Sequence, residues 1–206
     1  MDISALLSGL KLQNKTRFNE VEAKVLLKEF NVPVVPEAVA ANAQEAIAAA
    51  DAFGYPVAVK GLGVELAHKT ERGLVHLNLN AAPAVQKAVE AITASAGDAL
   101  EGIVVQPQIQ GRRELVAGLF RDPQFGPVVM FGIGGVFTEA LADVSFRLAP
   151  ITESDASEML GEIRAKTILG PYRGEKAIKH QHIIQVLMGL SRIAIELPQI
   201  VEIDIN

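Results

Sequence analysis

Residues 57–79 read VAVKGLGVELAHKTERGLVHLNL. The apolar run Val57–Val59 ends at Lys60, and a loop with Gly61 and Gly63 follows. The cluster His68, Lys69, Thr70 and Glu71 comes next, and an alternating run from Leu74 to Leu79 closes the unit as a second strand. A lysine at a strand end beside glycines suits a phosphate chain: the ammonium meets the negative oxygens, and bare backbone lets them approach. Imidazole is nucleophilic in its neutral form near pH 7, so His68 is a candidate acceptor of a phosphoryl group. The plainer reading of the same residues is a solvated lysine and a loop histidine that only hydrogen-bonds.

Working outward, 206 residues suffice for one large domain or two small lobes. Half of them are apolar, enough for an ordinary core, and nothing in the composition signals disorder. The net charge of -5 comes without an evident basic face, which argues against nucleic acid as a partner. Cysteine is absent, so disulfides, thiol catalysis and thiolate metal sites are excluded, as fits a cytoplasmic protein. The opening MDISALLSGLKLQNK has no basic segment ahead of its apolar part, and no secretory signal is expected. No apolar run approaches the roughly 20 residues of a membrane helix. A soluble protein without membrane partners is the expectation.

Asn19 with Glu22 predicts a capped helix ending near Phe30, and Asn42 with Glu45 predicts another that runs to Phe53 and stops at Gly54. Between them, Val34 and Val35 suggest a short strand flanked by Pro33 and Pro36. Residues 83–96 read as a helix. Gly97 and the charged turn at 98–102 place a boundary near residue 100, giving lobes 1–100 and 101–206. The second half reads as strands Ile103–Gln106, Glu114–Phe120 and Val128–Phe131, with antiparallel pairing favoured by their short turns. Thr152 with Asp155 caps a further helix. Apolar spacing predicts a long helix over 175–197, ended by Pro198, and then a strand Ile200–Ile205. Helix and strand thus mix in an α/β or α+β arrangement, with no internal repeat.

Five segments, in order, resemble the ATP-grasp domain of ADP-forming acyl-CoA synthetases, such as the β part of acetate–CoA ligase (ADP-forming) and, more distantly, the succinyl-CoA synthetase β subunit. They are EVEAKVLLKEFNVPV at 20–34, GYPVAVKGLGVELAHKTERGLVHLNL at 54–79, VVQPQIQGRREL at 104–115, FGPVVMFGIGGVFTEALAD at 125–143 and VEIDIN at 201–206. The resemblance implies an ATP-grasp fold, class α+β, whose two lobes grip ATP or ADP with Mg2+ between them. It implies phosphoryl transfer between nucleotide, histidine and acyl phosphate. It also implies a partner carrying the CoA-binding and ligase lobes, either as an α-type subunit or as the rest of a fused polypeptide.

By the same resemblance Lys60 neutralises phosphate and His68 takes part in phosphoryl transfer, with Lys69 and Glu71 either holding the phosphate or merely solvated. Gly61 and Gly63 belong to the phosphate-binding unit. Gln106, Pro107, Gln108 and Ile109 form a hinge whose backbone reads adenine, although relatives often carry Glu near Gln106. Glu114 lies near the nucleotide. Gly132, Gly134 and Gly135 fail the dinucleotide fingerprint, since the next glycine would fall at Phe137; they read as backbone kept bare for phosphate. Glu139 and Asp143, four apart, are acids for metal or for Lys60, or surface charges. Asn206 is implied to be one of two Mg2+ ligands. The family continues with Pro-Leu and, a strand later, the second ligand, an aspartate. Ending at Asn206, the sequence is either a piece of a longer chain or has an incomplete metal site. Leu74 stands where many relatives have glycine. His180 and His182, two apart on a helix, do not face each other, and Arg112 and Arg113 read as a solvated turn. Two other functions share these features: an ATP-grasp carboxylate ligase without phosphohistidine, and a non-catalytic nucleotide-sensing domain.

Overall fold

A computed structural model describes residues 3–12, 15–64, 66, 69–111, 113–135 and 142–206. His68, Glu139, Arg112 and Phe137 lie outside the described residues. The chain divides into two compact units, Met1–Leu26 with Val34–Gln110, and Leu27–Pro33 with Gly111–Asn206.

The first unit contains α1 (Ile3–Leu12), most of α2 (Glu20–Glu29), β1 (Ala38–Ala40), α3 (Ala43–Phe53), β2 (Val57–Leu62), β3 (Val75–Leu79), α4 (Ala82–Ala96) and β4 (Gly102–Pro107). Its four strands form one antiparallel sheet in the order β1-β4-β2-β3. Strand alternation sends Val57 and Val59 to one face, where they join Ala46, Ala50, Val85 and Ile92 of α3 and α4 in the core. Lys60 therefore projects from the opposite face, level with Val104 of β4 and Val75 of β3. In the burial pattern of β2 it is the single position that is not fully buried. Local signals explain the helices. Asn42 Oδ1 accepts Glu45 N at 3.0 Å to start α3, and Gly54 at φ 79° stops it.

The second unit contains β5 (Leu115–Asp122), β6 (Gly126–Ile133), β7 (Val144–Leu148), α5 (Glu153–Glu162), α6 (His180–Glu196) and β8 (Glu202–Ile205). The strands form an antiparallel sheet in the order β7-β6-β5-β8. Leu187, Leu190 and Ile193 of α6 are buried against β5 and β6, and the Thr152 capping box starts α5. Gly189 of α6 is a close-approach position: a Cβ there would lie 2.4 Å from Val32 Cγ2 and 2.9 Å from Phe30 O. Segment 27–33 is seated on α6 by that contact.

Four sequence expectations are corrected. Strand 102–107 belongs to the first sheet, because β2 pairs with it along its whole length from Val57↔Pro107 to Leu62↔Gly102. The boundary near residue 100 therefore moves to 110/111, and segment 27–33 joins the second unit. Val34–Val35 is not a strand; prolines on both sides leave it short of ladder donors, and the strand forms at Ala38–Ala40. The long helix begins at His180 rather than at 175, since Glu175 bridges to Tyr172 and Gly174 takes φ 87°. Strand β2 continues past Lys60 to Leu62. Neither α1 nor β7 is anticipated by the sequence reading.

Candidate functional site

Lys60 is the centre of a polar cluster on the face of the first sheet opposite α3 and α4. Its ammonium donates to Glu20 Oε1 at 2.8 Å. Lys69 Nζ lies 3.5 Å from Glu20 Oε2, and Lys24 donates to Glu20 Oε1 at 3.0 Å. Lys24 also makes a short contact with Glu37 and reaches Gln106 Oε1 at 3.5 Å. The cluster is semi-enclosed, with side-chain exposures of 21% for Lys60 and 23% for Glu20. Among the described residues, three lysines of this cluster face two carboxylates, Glu20 and Glu37.

Electrostatics follows from this packing. Burial pulls the Glu20 carboxyl upward, but the hydrogen bond and charge of Lys60, then those of Lys24, override it and hold it at about 2. For Lys24 burial acts downward, and the Glu37 and Glu20 carboxylates outweigh it, so its ammonium sits above the ordinary lysine value. Glu20 and Lys24 are therefore both charged at neutral pH.

Glu20 is the residue the sequence reading missed. It opens α2, whose start is fixed by a reciprocal pair: Glu22 N donates to Asn19 Oδ1 at 3.0 Å and Asn19 N to Glu22 Oε2 at 2.8 Å. The Asn19–Glu22 signal located this helix start, and a carboxylate one position after it was open to view.

The glycines meet a packing need. Gly61 and Gly63 are buried. A Cβ on Gly63 would stand 2.3 Å from Ala99 O, and one on Gly61 3.2 Å from Ile92 Cγ2. Their bare backbone serves the close approach of the chain to itself. The same packing need holds for the second glycine run. A Cβ on Gly132 would meet Asp143 O at 2.6 Å, one on Gly134 would meet Glu114 and Leu115 backbone at 3.0 Å, and one on Gly135 would meet Glu114 Oε2 at 2.9 Å. Glu114 is exposed, next to these glycines. Leu74 is fully buried and its carbonyl accepts Gly61 N at 2.9 Å.

In the hinge segment, Gln106 is a rung of the β2–β4 ladder, opposite Ala58. Gln108 is occupied by its own unit: its N–H donates to Pro56 O at 3.0 Å and its Oε1 accepts Asn78 N at 3.0 Å. Ile109 is 60% exposed.

Asp143 is corrected more sharply. It is 7% exposed, and its two oxygens accept Arg164 N at 2.6 Å and Ala165 N at 2.8 Å. The carboxylate pins the turn after α5 and is not a surface acid. Asn206 is exposed and donates through Nδ2 to Asp204 Oδ2 at 2.9 Å. Strand alternation places Glu202 and Asp204 on one face of β8, and Asn206 just past its end bonds Asp204, an oxygen donor the sequence reading passed over. Among the described residues no group of three or more His, Cys, Asp or Glu could hold a metal ion. Arg113, expected in a solvated turn, is tied to Glu175, Ile168 O, Gly170 O and Lys176 O. His180 and His182 are exposed.

Comparison with known proteins agrees with the fold and with the resemblance. Residues 10–206 match the ATP-grasp domain family. The β subunit of acetate–CoA ligase (ADP-forming) I from Pyrococcus furiosus is 42% identical over 192 residues, covering 91% of this chain and 83% of that one. Acetate–CoA ligase (ADP-forming) I from Archaeoglobus fulgidus is 37% identical over 199 residues; 95% of this chain matches 29% of that longer protein. Among solved structures, the dinucleotide-forming acetyl-coenzyme A synthetase 1 of Ca. Korarchaeum cryptofilum, in complex with coenzyme A and Ca-AMPCP, superposes with a TM-score of 0.94 at 37% identity, over 100% of this chain and 92% of that chain. A second structure of that enzyme, with Mg-AMPPCP, has its phosphohistidine segment pointing towards the nucleotide binding site and superposes with a TM-score of 0.87 at 36% identity, over 98% of this chain and 90% of that one. This chain belongs to the ATP-grasp family, as a β-type component of the ADP-forming acid–CoA ligases.

Proposed function

We propose that the chain is the nucleotide-handling half of an ADP-forming acyl-CoA synthetase, moving a phosphoryl group between ATP/ADP and a histidine. The overall reaction converts acyl-CoA, ADP and phosphate into acid, CoA and ATP, reversibly. Coenzyme A and the acyl group belong to an α-type partner, a separate subunit or the rest of a fused polypeptide, and the site of action is the cytoplasm. The two units correspond to the two lobes of the ATP-grasp fold.

The observation that carries this reading is the convergence of the Lys60 and Lys69 ammonium groups on one carboxylate, Glu20. Phosphoryl transfer demands little covalent chemistry of the protein and much charge stabilisation, which such a cluster supplies. Lys60 meets the phosphate oxygens, and His68 accepts the phosphoryl group as its Nδ1 or Nε2 forms the P–N bond and ADP leaves. The hinge 106–109 and Glu114 lie towards the purine and ribose. For Mg2+ the donor set fits: Asp204 of β8 and Asn206 just past its end, joined by a hydrogen bond, offer hard oxygens, and this ion characteristically takes one or two protein ligands plus water and phosphate. When bound, the ion neutralises phosphate charge.

Incubation of the chain with γ-labelled ATP and Mg2+, alone and with the α-type partner, tests the assignment. Label in an acid-labile, alkali-stable protein bond that is lost in His68→Asn supports it. Acid–CoA ligase activity retained in His68→Asn moves the chain to the carboxylate ligases without phosphohistidine. ADP binding with no label under any condition moves it to the nucleotide-sensing domains.

A further inference from the structure

Among the described residues, the hydrogen bonds of Lys60 and Lys69 converge on a single carboxylate that no role has yet been given. We propose that Glu20 is a positioning residue of the nucleotide site, gathering the Lys60 and Lys69 ammonium groups side by side for the phosphate oxygens. The inference rests on the reading of Lys60 as a phosphate cation and adds the residue that places it.

The physical need is plain. Two ammonium groups on long flexible stems repel one another, and freezing each costs side-chain entropy. A nucleotide that had to gather them would lose that free energy from its own affinity. Glu20 does so beforehand, because its oxygens are divided between them: Oε1 accepts Lys60 at 2.8 Å, and Oε2 faces Lys69 at 3.5 Å. An ammonium has three N–H groups, so a bond to Glu20 leaves donor capacity for a ligand.

The alternative role is competition, in which Glu20 mimics phosphate and must be expelled. Its anchoring favours positioning. Glu20 begins α2 behind the Asn19–Glu22 capping pair, and Lys24, one turn further on, clasps Oε1 at 3.0 Å while itself fastened to Glu37. Withdrawing Glu20 would break the Lys24 bond too. Its acidity agrees: the carboxylate stays ionised throughout any assay range.

The test compares Glu20→Gln, Glu20→Asp, Lys69→Met and Lys60→Met. Calorimetry reads ADP with Mg2+ binding to the full chain, and steady-state kinetics read the complex with the α-type partner. Glu20→Gln is expected to weaken ADP roughly tenfold, the scale of one hydrogen bond to a charged group, with KM rising more than kcat falls. Glu20→Asp, which keeps the charge on a shorter stem, recovers part of the loss. Lys69→Met weakens ADP in the wild type but adds little on top of Glu20→Gln, because both belong to one network. Unaltered or tighter ADP binding in Glu20→Gln overturns the proposal, as does full additivity of the pair. If Lys60→Met also leaves ADP affinity unchanged, the reading of the site itself fails; if Lys60→Met loses binding and Glu20→Gln does not, only the positioning role fails.

Discussion

The two units use positive charge in opposite ways. In the first, three lysines surround Glu20, and each is a compact cation joined by one or two carboxylate contacts. In the second, three arginines are bonded to their own chain. Arg113 donates to Glu175 and to three carbonyls, and Arg121 donates to Ile200 O at 2.8 Å, Ala194 O at 2.8 Å and Leu197 O at 3.1 Å. Arg147 grips Glu162 with two nitrogens, at 2.9 and 2.5 Å. A planar guanidinium spends its fork on fixed acceptors and becomes scaffold, whereas an ammonium held by one anion keeps donors for a ligand. Charge and burial alone do not mark a binding cation; the saturation of its donors does.

This contrast makes crossed predictions. Lys60→Met should lower nucleotide-dependent activity of the complex on the order of a hundredfold, the scale of losing one preorganised charge at a transition state, while stability changes by less than about 1 kcal/mol. Arg121→Ala should do the reverse. It strands the carbonyls at the end of α6 and before β8, and a loss of about 3 kcal/mol in denaturant unfolding is expected, with ADP affinity retained. If Lys60→Met unfolds the chain, or Arg121→Ala removes ADP binding from folded protein, the division between ligand-facing lysines and scaffold arginines breaks down.

The glycines sharpen the same point. Gly63→Ala would drive a methyl group to 2.3 Å from Ala99 O, a backbone atom that cannot swing aside. About 2 kcal/mol of destabilisation is expected in thermal or denaturant melts. A variant that keeps full stability but loses ADP would return Gly63 to the phosphate-binding role read from sequence.

Local signals were legible where the physics is local. The Asn19–Glu22, Asn42–Glu45 and Thr152–Asp155 caps and the stop at Gly54 all appear in the structure, because each is settled within one turn of helix. Lys60 was legible through its company in a recognisable segment. Glu20 was not, since 40 residues separate it from Lys60 and only the folding of α2 over the sheet joins them. The bareness of Gly61, Gly63, Gly132 and Gly134 was visible, but what approaches each of them is a tertiary fact. Asp143 looked like a free acid because its partners, Arg164 N and Ala165 N, lie beyond α5. The alternation of Val144, Phe146 and Leu148 with Ser145 and Arg147 was a readable strand, overshadowed by the glycine run before it. Strand β1 offered only Ala-Val-Ala, too short for any period to show.

The smallest effect comes from pH and probes the lysine cluster alone. Glu20 titrates at about 2 when folded, against an ordinary value of 4.5. A carboxyl depressed by folding adds stability that is complete above its unfolded value and is lost as protons bind it. The cluster's contribution should therefore hold at pH 5 and above and fade between pH 4.5 and about 2. Lys24, raised by Glu37 and Glu20 against its burial, keeps its share on the alkaline side until pH passes the ordinary lysine value of 10.5. Glu162, at about 2 through its hydrogen bond from Arg147, fades over the same acid range, so the raw melting curve mixes both units. The difference between wild type and Glu20→Gln separates them: a gap on the order of 1 kcal/mol near neutrality, after solvent screening, should close as pH falls towards 2. A gap that stays constant down to that pH would mean Glu20 contributes packing rather than charge, and the first unit would then hold its lysines together by some means other than this carboxylate.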